Sequence, residues 1–370
     1  MRVFILACLI SLFSLPATAQ LRKYIDDGKI YLSHKNYLAA LDQFTQYTKL
    51  FPNDAEGYYW IGYTYVLSKQ YPDAEAYLNK AMLLAPKFVP TYVAYGQMFF
   101  DRELYENSIP YLLRATELND QNPLVYNTLG MSCYYVGKYE LAIKYFNRAI
   151  KLDSTYAAAY SNRGAARYNA QNIAVANKID KELAEQDLNI SLKLDSTSEV
   201  AYRNRAFIRL FQNKLPGAYM DITIALKKDP KDSRAQYCYA LILLADKQYK
   251  NALVEFDKAI KLKNNQYDFY LDRGLCKIHL YDGEGARKDF RQAMALNPNC
   301  KPMGYYHTAR SYAADKDKEL MLDYIIAESK AGLFKFNYYF KEMQADEYFK
   351  YYAKDKDYTD LMFKIKFGKI

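Results

Sequence analysis

The chain is poor in the residues that most often carry chemistry. Its 370 residues include one Trp, three His and five Cys, with only 14 Gly and 11 Pro. His34, His279 and His307 stand far apart, at no spacing that would gather metal ligands. There is no Gly-rich phosphate loop, nucleophile elbow or zinc-type Cys pattern. Carboxylates are plentiful but scattered, as on solvated helix faces. The reading is a protein with no catalytic residues, no metal site and no cofactor.

Long apolar runs are also missing, with one exception. Val3 to Leu15 is almost wholly apolar, follows Arg2, and leads into Pro16-Ala17-Thr18-Ala19. That order of charge, apolar run and small residues is a secretory signal peptide at 1–19, with cleavage expected between Ala19 and Gln20. The run is too short to cross a bilayer comfortably, so the chain is read as not membrane-spanning. Ile5-Leu6-Ala7-Cys8 resembles a lipidation box, but the apolar run continues well past Cys8. The expected location is periplasmic or secreted, which makes nucleic acid an unnatural partner. Without residues 1–19 the chain keeps 50 basic and 42 acidic residues, a net charge of +8. Most of these charges are interspersed; the excess would favour an anionic envelope component as a partner.

What the chain has in abundance is Tyr, 40 of them, in a mix that is 51% apolar. They recur. In a frame of 34 residues from Leu21, the fourth place is Tyr24, Tyr58, Tyr92 and Tyr126, and the eighth is Gly28, Gly62, Gly96 and Gly130. The seventeenth is Tyr37, Tyr71, Tyr105 and Tyr139; the twentieth is Ala40, Ala74, Ser108 and Ala142. The twenty-fourth is Phe44, Leu78, Leu112 and Phe146, while Pro52 and Pro86 fall at place thirty-two. After Tyr160 and Gly164 the frame slips by eight residues. It resumes at Glu199 and runs through Tyr202, Ala206, Ala218 and Ile222, then Tyr270, Gly274, Ala286 and Phe290. Nine units start near 21, 55, 89, 123, 157, 199, 233, 267 and 301.

Apolar residues three and four apart give each half-unit one buried helical face. Gly at place eight and Ala at place twenty let two antiparallel helices approach closely. One hairpin cannot bury both faces, so neighbours must stack. Units such as Tyr126-Asn127-Thr128-Leu129-Gly130 with Tyr139, Ala142, Phe146 and Ala149 resemble tetratricopeptide repeats, here of an exported bacterial kind. The resemblance covers residues 21–334 and departs at place four, where the family often has Trp and this chain has Tyr. It implies an all-α fold: a right-handed superhelical α-solenoid of about nine hairpins, with a concave groove lined by the first helix of each. It implies little about the ligand.

Units two to four carry Ile61, Tyr95 and Leu129 at place seven, with Tyr77, Tyr111 and Tyr145 at place twenty-three. In units five, six and eight those places hold Arg163 with Asp187, Arg205 with Asp221, and Arg273 with Asp289. Each Arg is expected to reach across its own hairpin as a charge-assisted structural pair. The eight-residue slip, placed within 168–182, is either one added turn on each helix or a loop. Residues 335–370, with Glu347-Tyr348-Phe349 and Asp357-Tyr358-Thr359, read as helices capping the last apolar face. Cys133, Cys238, Cys276 and Cys300 remain after export; buried thiols are the favoured reading, and a disulfide stays open.

In the family, places two, five, nine, twelve and thirteen face the groove, and their spacing makes one helical stripe. Here they include Tyr59, Tyr63, Gln97, Phe100, Asn127, Met131, Tyr134, Tyr135, Tyr168, Arg203, Phe207, Phe211 and Tyr237. Rigid aromatics beside a few polar groups suit a protein or peptide segment; about half are expected to pack between units instead. No Lys occupies place five, so a clamp for a terminal carboxylate is absent. The expected function is a non-catalytic scaffold or adaptor of the cell envelope. The alternative is a carbohydrate or envelope-glycan binder.

Overall fold

The computed structural model describes residues 22–170, 178–331, 343, 345–367 and 369. Among the described residues there are helices, turns and loops but no strand. The chain forms two compact units, Met1–Leu194 and Asp195–Ile370.

The first unit holds five helical hairpins: α1 (22–33) with α2 (Tyr37–Leu50), α3 (Ala55–Leu67) with α4 (Tyr71–Leu84), α5 (Val89–Asp101) with α6 (Tyr105–Leu118), α7 (Pro123–Tyr135) with α8 (Tyr139–Leu152), and α9 (Ala157–Ala170) with α10 (Lys178–Leu194). The second unit holds four: α11 (Glu199–Phe211) with α12 (Leu215–Lys228), α13 (Ser233–Ala245) with α14 (Tyr249–Leu262), α15 (Tyr267–His279) with α16 (Gly283–Leu296), and α17 (Lys301–Ala314) with α18 (Lys318–Ala331). Further on come helices Glu347–Lys350 and Lys356–Lys366. Polar caps start many of these helices: Asn36, Asp54, Asn122, Ser198, Asp232 and Asp282 each accept from a backbone N–H of the first turn.

Inside a hairpin, place eight meets place twenty-four. A Cβ on Gly130 would stand 2.6 Å from the Phe146 ring, so only hydrogen fits there. Phe146, Ala142 and Ala149 are fully buried on the facing helix. Ser108 takes the Ala place in the third hairpin because its hydroxyl donates to the Gly96 carbonyl at 2.8 Å. Between hairpins the Tyr at place four has a second use: Tyr58 donates to the Pro52 carbonyl at 3.1 Å and Tyr92 to the Pro86 carbonyl at 2.7 Å. Each phenol thereby ties its helix to the turn that precedes it, a bond an indole N–H placed elsewhere on its ring would not reproduce. Tyr270 does the same with the Asn264 carbonyl.

Within each unit the first helices of neighbouring hairpins touch, as α5 touches α3 and α7, and α13 touches α11 and α15. Second helices contact the next first helix, and among the described residues no comparable contact joins two second helices. A stack built so is curved, with first helices inside. Places three and ten face the preceding hairpin: Thr91, Val125, Met98 and Ser132 are buried there, as are Phe269, Ile242 and Cys276. In the first hairpin the same places are Lys23, which is exposed, and Ile30, 56% exposed. At the other end Met343, Phe349, Tyr352, Tyr358, Leu361 and Met362 bury against Tyr306, Ala309, Ala313, Met321 and Ile325 of the last hairpin. The caps of the two terminal helices are Asp346 and Asp355, each one or two residues ahead of the acids expected from sequence.

The eight-residue slip is partly visible as helix. α9 has 14 residues where most other first helices have 13, and α10 has 17 where its counterparts have 14. The rest of the slip, residues 171–177, lies outside the described residues, as do 332–342 of the expected cap.

Every described hairpin turn places one residue in the left-handed region: Lys35, Lys69, Glu103, Gly137, Asn213, Lys247, Tyr281 and Lys316. Only one is Gly. Tyr281 is the costliest choice, with φ of 60° and 89% exposure, so it recovers little by packing. Tyr281→Gly should therefore raise the urea midpoint, by roughly 1 kcal/mol of stability. An unchanged or lowered midpoint would show that the Tyr281 ring contributes more than its backbone costs.

Candidate functional site

Two kinds of core fill the space between places seven, eleven and twenty-three. In the third hairpin it is aromatic: Tyr95, Phe99 and Tyr111 stack with ring centroids 4.7–6.2 Å apart. Tyr95 also donates to Asn79 at 2.7 Å, and burial pushes its phenol up. In hairpins five, six and eight it is ionic. Arg163 donates to both oxygens of Asp187 at 2.9 and 2.6 Å. Arg205 does so to Asp221 at 2.8 and 2.7 Å, and Arg273 to Asp289 at 2.9 and 2.6 Å. The three carboxylates are buried.

Each carboxylate also meets a second cation one helical turn on. Arg167 reaches Asp187 at 2.7 Å, Arg209 reaches Asp221 at 2.8 Å, and Lys277 reaches Asp289 at 2.9 Å. The first Arg of each triad also lies over the Tyr at place four, with 5.3–5.6 Å to Tyr160, Tyr202 and Tyr270. Arg163 and Arg273 extend further, to Asn147 and Asp257 of the preceding hairpin, each at 2.7 Å. The pairs thus join two helices and, in two cases, two hairpins. The second cations are absent from the sequence reading because a cation four residues from another looks like a solvated face.

The inner stripe divides into ledges and packed positions. Tyr59 stacks on Tyr63 at 5.8 Å and edges Phe88 at 5.5 Å. Phe100 edges Tyr105 and Tyr135, and those two rings stack at 4.4 Å. Tyr135 is 52% exposed; Tyr134 is half-buried against Tyr135 and Tyr139. Gln97 donates to Asp101 at 2.7 Å, and Asn169 to the Tyr134 hydroxyl at 2.8 Å. Met131 and Tyr168 are half-buried. In the second unit Phe211 is exposed, Phe207 lies 6.1 Å from Tyr237, and Arg203 is paired with Asp232.

Two of the thirteen stripe residues are packed between hairpins. Asn127 is buried, accepting from Asn162 at 3.0 Å, and Tyr237 is buried. The Tyr237 ring stacks on Phe269 at 4.6 Å and its hydroxyl donates to Asp272. Both side chains join one first helix to the next and have little surface to offer a partner.

Among the described residues no group of three His, Cys, Asp or Glu could hold a metal ion. Cys133, Cys238, Cys276 and Cys300 are free and buried. Burial pushes the Cys133 and Cys276 thiols up to about 11, so neither is a thiolate at neutral pH. His307 is buried and pushed down to about 3, chiefly by burial and then by Arg310. Glu328 is buried, which raises it to about 8, and neither carboxyl oxygen is hydrogen-bonded among the described residues. It occupies the place held by the buried Ala81, Ala149 and Ala293 in other hairpins.

Comparison with known proteins agrees with this geometry. Tetratricopeptide repeat profiles match residues 26–86, 123–156 and 209–268. This is a tetratricopeptide-repeat protein. The repeat array aligns with the crystal structure of the APC/C hetero-tetramer Cut9–Hcn1 at a TM-score of 0.58 and 15% identity, covering 74% of this chain and 52% of that one. A tetratricopeptide repeat protein from Parabacteroides merdae aligns at 0.54 and 17% identity, covering 72% and 98%. At such identities the likeness concerns the fold alone. Human sperm-associated antigen 1 is 32% identical over 98 residues, 24% of this chain; the match spans a tenth of that protein's length.

Two outcomes follow from the ionic repeats and from Glu328. Arg205→Ala should cost about 1.5–3 kcal/mol by removing two charge-assisted hydrogen bonds from buried Asp221, which keeps Arg209, and Arg205→Ala with Asp221→Ala should cost less than the sum of the two single losses. Additive losses in the double-mutant cycle would refute that coupling. For Glu328, a folded-state value above the ordinary 4.5 means that the neutral form is favoured by the fold. Its contribution is complete below pH 4.5 and is lost as pH rises through about 8. Glu328→Gln should hence raise the urea midpoint on the alkaline side of pH 8 and change it little below 4.5.

Proposed function

We propose that this tetratricopeptide-repeat protein is an exported, non-catalytic scaffold of the bacterial cell envelope that grips a peptide or protein segment along its inner stripe. The observation that carries the reading is the ledge of the first unit. Tyr59, Tyr63, Phe100, Tyr134 and Tyr135 keep part of their rings open although the hairpins are already closed beneath them. Rigid rings with few torsions lose little entropy on contact and are common binding anchors. The N-terminal signal-like segment supports export, and the positive balance supports an anionic envelope component as an additional partner.

Trp60 is the one Trp of the chain, and its ring lies 4.9 Å from Tyr59 and 5.9 Å from Tyr63. Crosslinking in the native envelope followed by mass spectrometry should recover a protein partner. Titrating that partner should then change Trp60 fluorescence, and Tyr135→Ala should weaken binding roughly tenfold or more without moving the urea midpoint. Specific binding on a glycan array with no protein recovered would instead assign the ledge to carbohydrate. Fluorescence indifferent to the crosslinked partner would remove the inner stripe from the account.

A further inference from the structure

Beyond the inner stripe, the end of the second unit carries a surface that the packing of the repeats does not use. Helix Lys356–Lys366 buries Tyr358, Leu361 and Met362 against the last hairpin. Its opposite side presents Phe363 and, one turn on, Phe367, which are 54% and 57% exposed with ring centroids 4.6 Å apart. Two Phe held together in the open are a cost to a surface that faces only water.

Asp360 lies one turn before Phe363, and past it the charges are of one sign. Beyond Asp360 the chain has Lys364, Lys366 and Lys369 and no acid. None of the three, nor Lys350, forms an ion pair among the described residues; the nearby acids Asp355 and Asp357 are taken by Lys318 at 2.8 and 2.7 Å. Lys369 and Lys366 lie over the Phe363 and Phe367 rings at 5.5 and 5.8 Å. Lys near a helix C-terminus offsets the macrodipole, but that explains neither the open Phe pair nor the cleft beside it. This cleft, about 400 Å³, has Phe349, Tyr358 and Met362 as its floor and Lys350, Thr359, Phe363 and Lys366 at its rim. Its size suits a small apolar group, and no carboxylate lines it.

We propose that this end of the protein docks on an anionic lipid surface. Phe363 and Phe367 enter the interfacial layer, Lys350, Lys364, Lys366 and Lys369 meet the headgroups, and the cleft takes a displaced acyl segment. Rings in a collar of unpaired ammoniums are the chemistry of interfacial helices. A lipid is favoured over an acidic peptide because Phe367 stands outside the cleft and Phe363 only at its rim, which leaves the ring pair open to an interfacial layer. This surface is separate from the inner stripe and does not depend on what that stripe binds.

The test is co-sedimentation of the full chain, without its first 19 residues, with vesicles of phosphatidylglycerol and phosphatidylcholine in equal parts and with phosphatidylcholine alone. Binding is expected to the first and not the second, and to fall as salt is raised from about 0.1 M to about 1 M. Phe363→Ser with Phe367→Ser should weaken it about tenfold. Lys364→Gln with Lys366→Gln and Lys369→Gln should weaken it roughly a hundredfold, at about fivefold for each ammonium. Both variants change exposed side chains, and an unchanged urea midpoint checks that each is folded. Tyr135→Ala should bind vesicles like the parent, which keeps this result independent of the inner stripe. Equal binding to both vesicle types, binding to neither, or binding indifferent to both variants overturns the proposal. A fluorescent peptide alternating glutamate and phenylalanine that binds here and is not displaced by anionic vesicles would assign the surface to a protein, and overturns it as well.

Discussion

Everything in this fold depends on how near two helices of one hairpin can come. Hydrogen at Gly130 and methyl at Ala142 leave just enough room for the Phe146 ring to lie against a bare backbone. The same fit recurs between Gly274 and Phe290, and with Leu in place of Phe between Gly96 and Leu112. That contact fixes the depth of a hairpin, and the depth fixes how the next one seats. Because the constraint uses only places eight, twenty and twenty-four, the remaining places are free to vary.

The chain uses that freedom in the strip between places seven, eleven and twenty-three. Stacked rings fill it in the third hairpin, and a carboxylate between two cations fills it in the fifth, sixth and eighth. The two solutions are not energetically equivalent. Rings gain from burial directly. An ion triad must first offset the desolvation of three charges, and it then penalises any register that leaves one unpaired. The aromatic hairpins contribute cohesion. The ionic ones add a requirement for correct pairing between helices that otherwise look alike.

The fold was legible because steric limits act on single residues at fixed spacing: a missing Cβ at Gly28 or Gly62 leaves a mark that no other demand produces. The first cation of each triad was legible for the same reason, since Arg205 and Asp221 break an apolar pattern. The second cation was not, because Arg209 repeats what a wet helix face shows. Nor could periodicity separate Tyr237 from Tyr135. Both occupy the same stripe, yet one is closed over by Phe269 and the other lies open. That difference is set by the neighbouring helix, at a distance no local spacing encodes.

Lys23 and Ile30 stand where later hairpins bury Val125, Ser132, Phe269 and Cys276. A stack of like units has a head that fits its own tail, and nothing in the repeat itself prevents one molecule from continuing another into an open fibre. Covering Lys23 costs an ammonium its water, and at the last hairpin Phe349 and Met362 already occupy the apolar face.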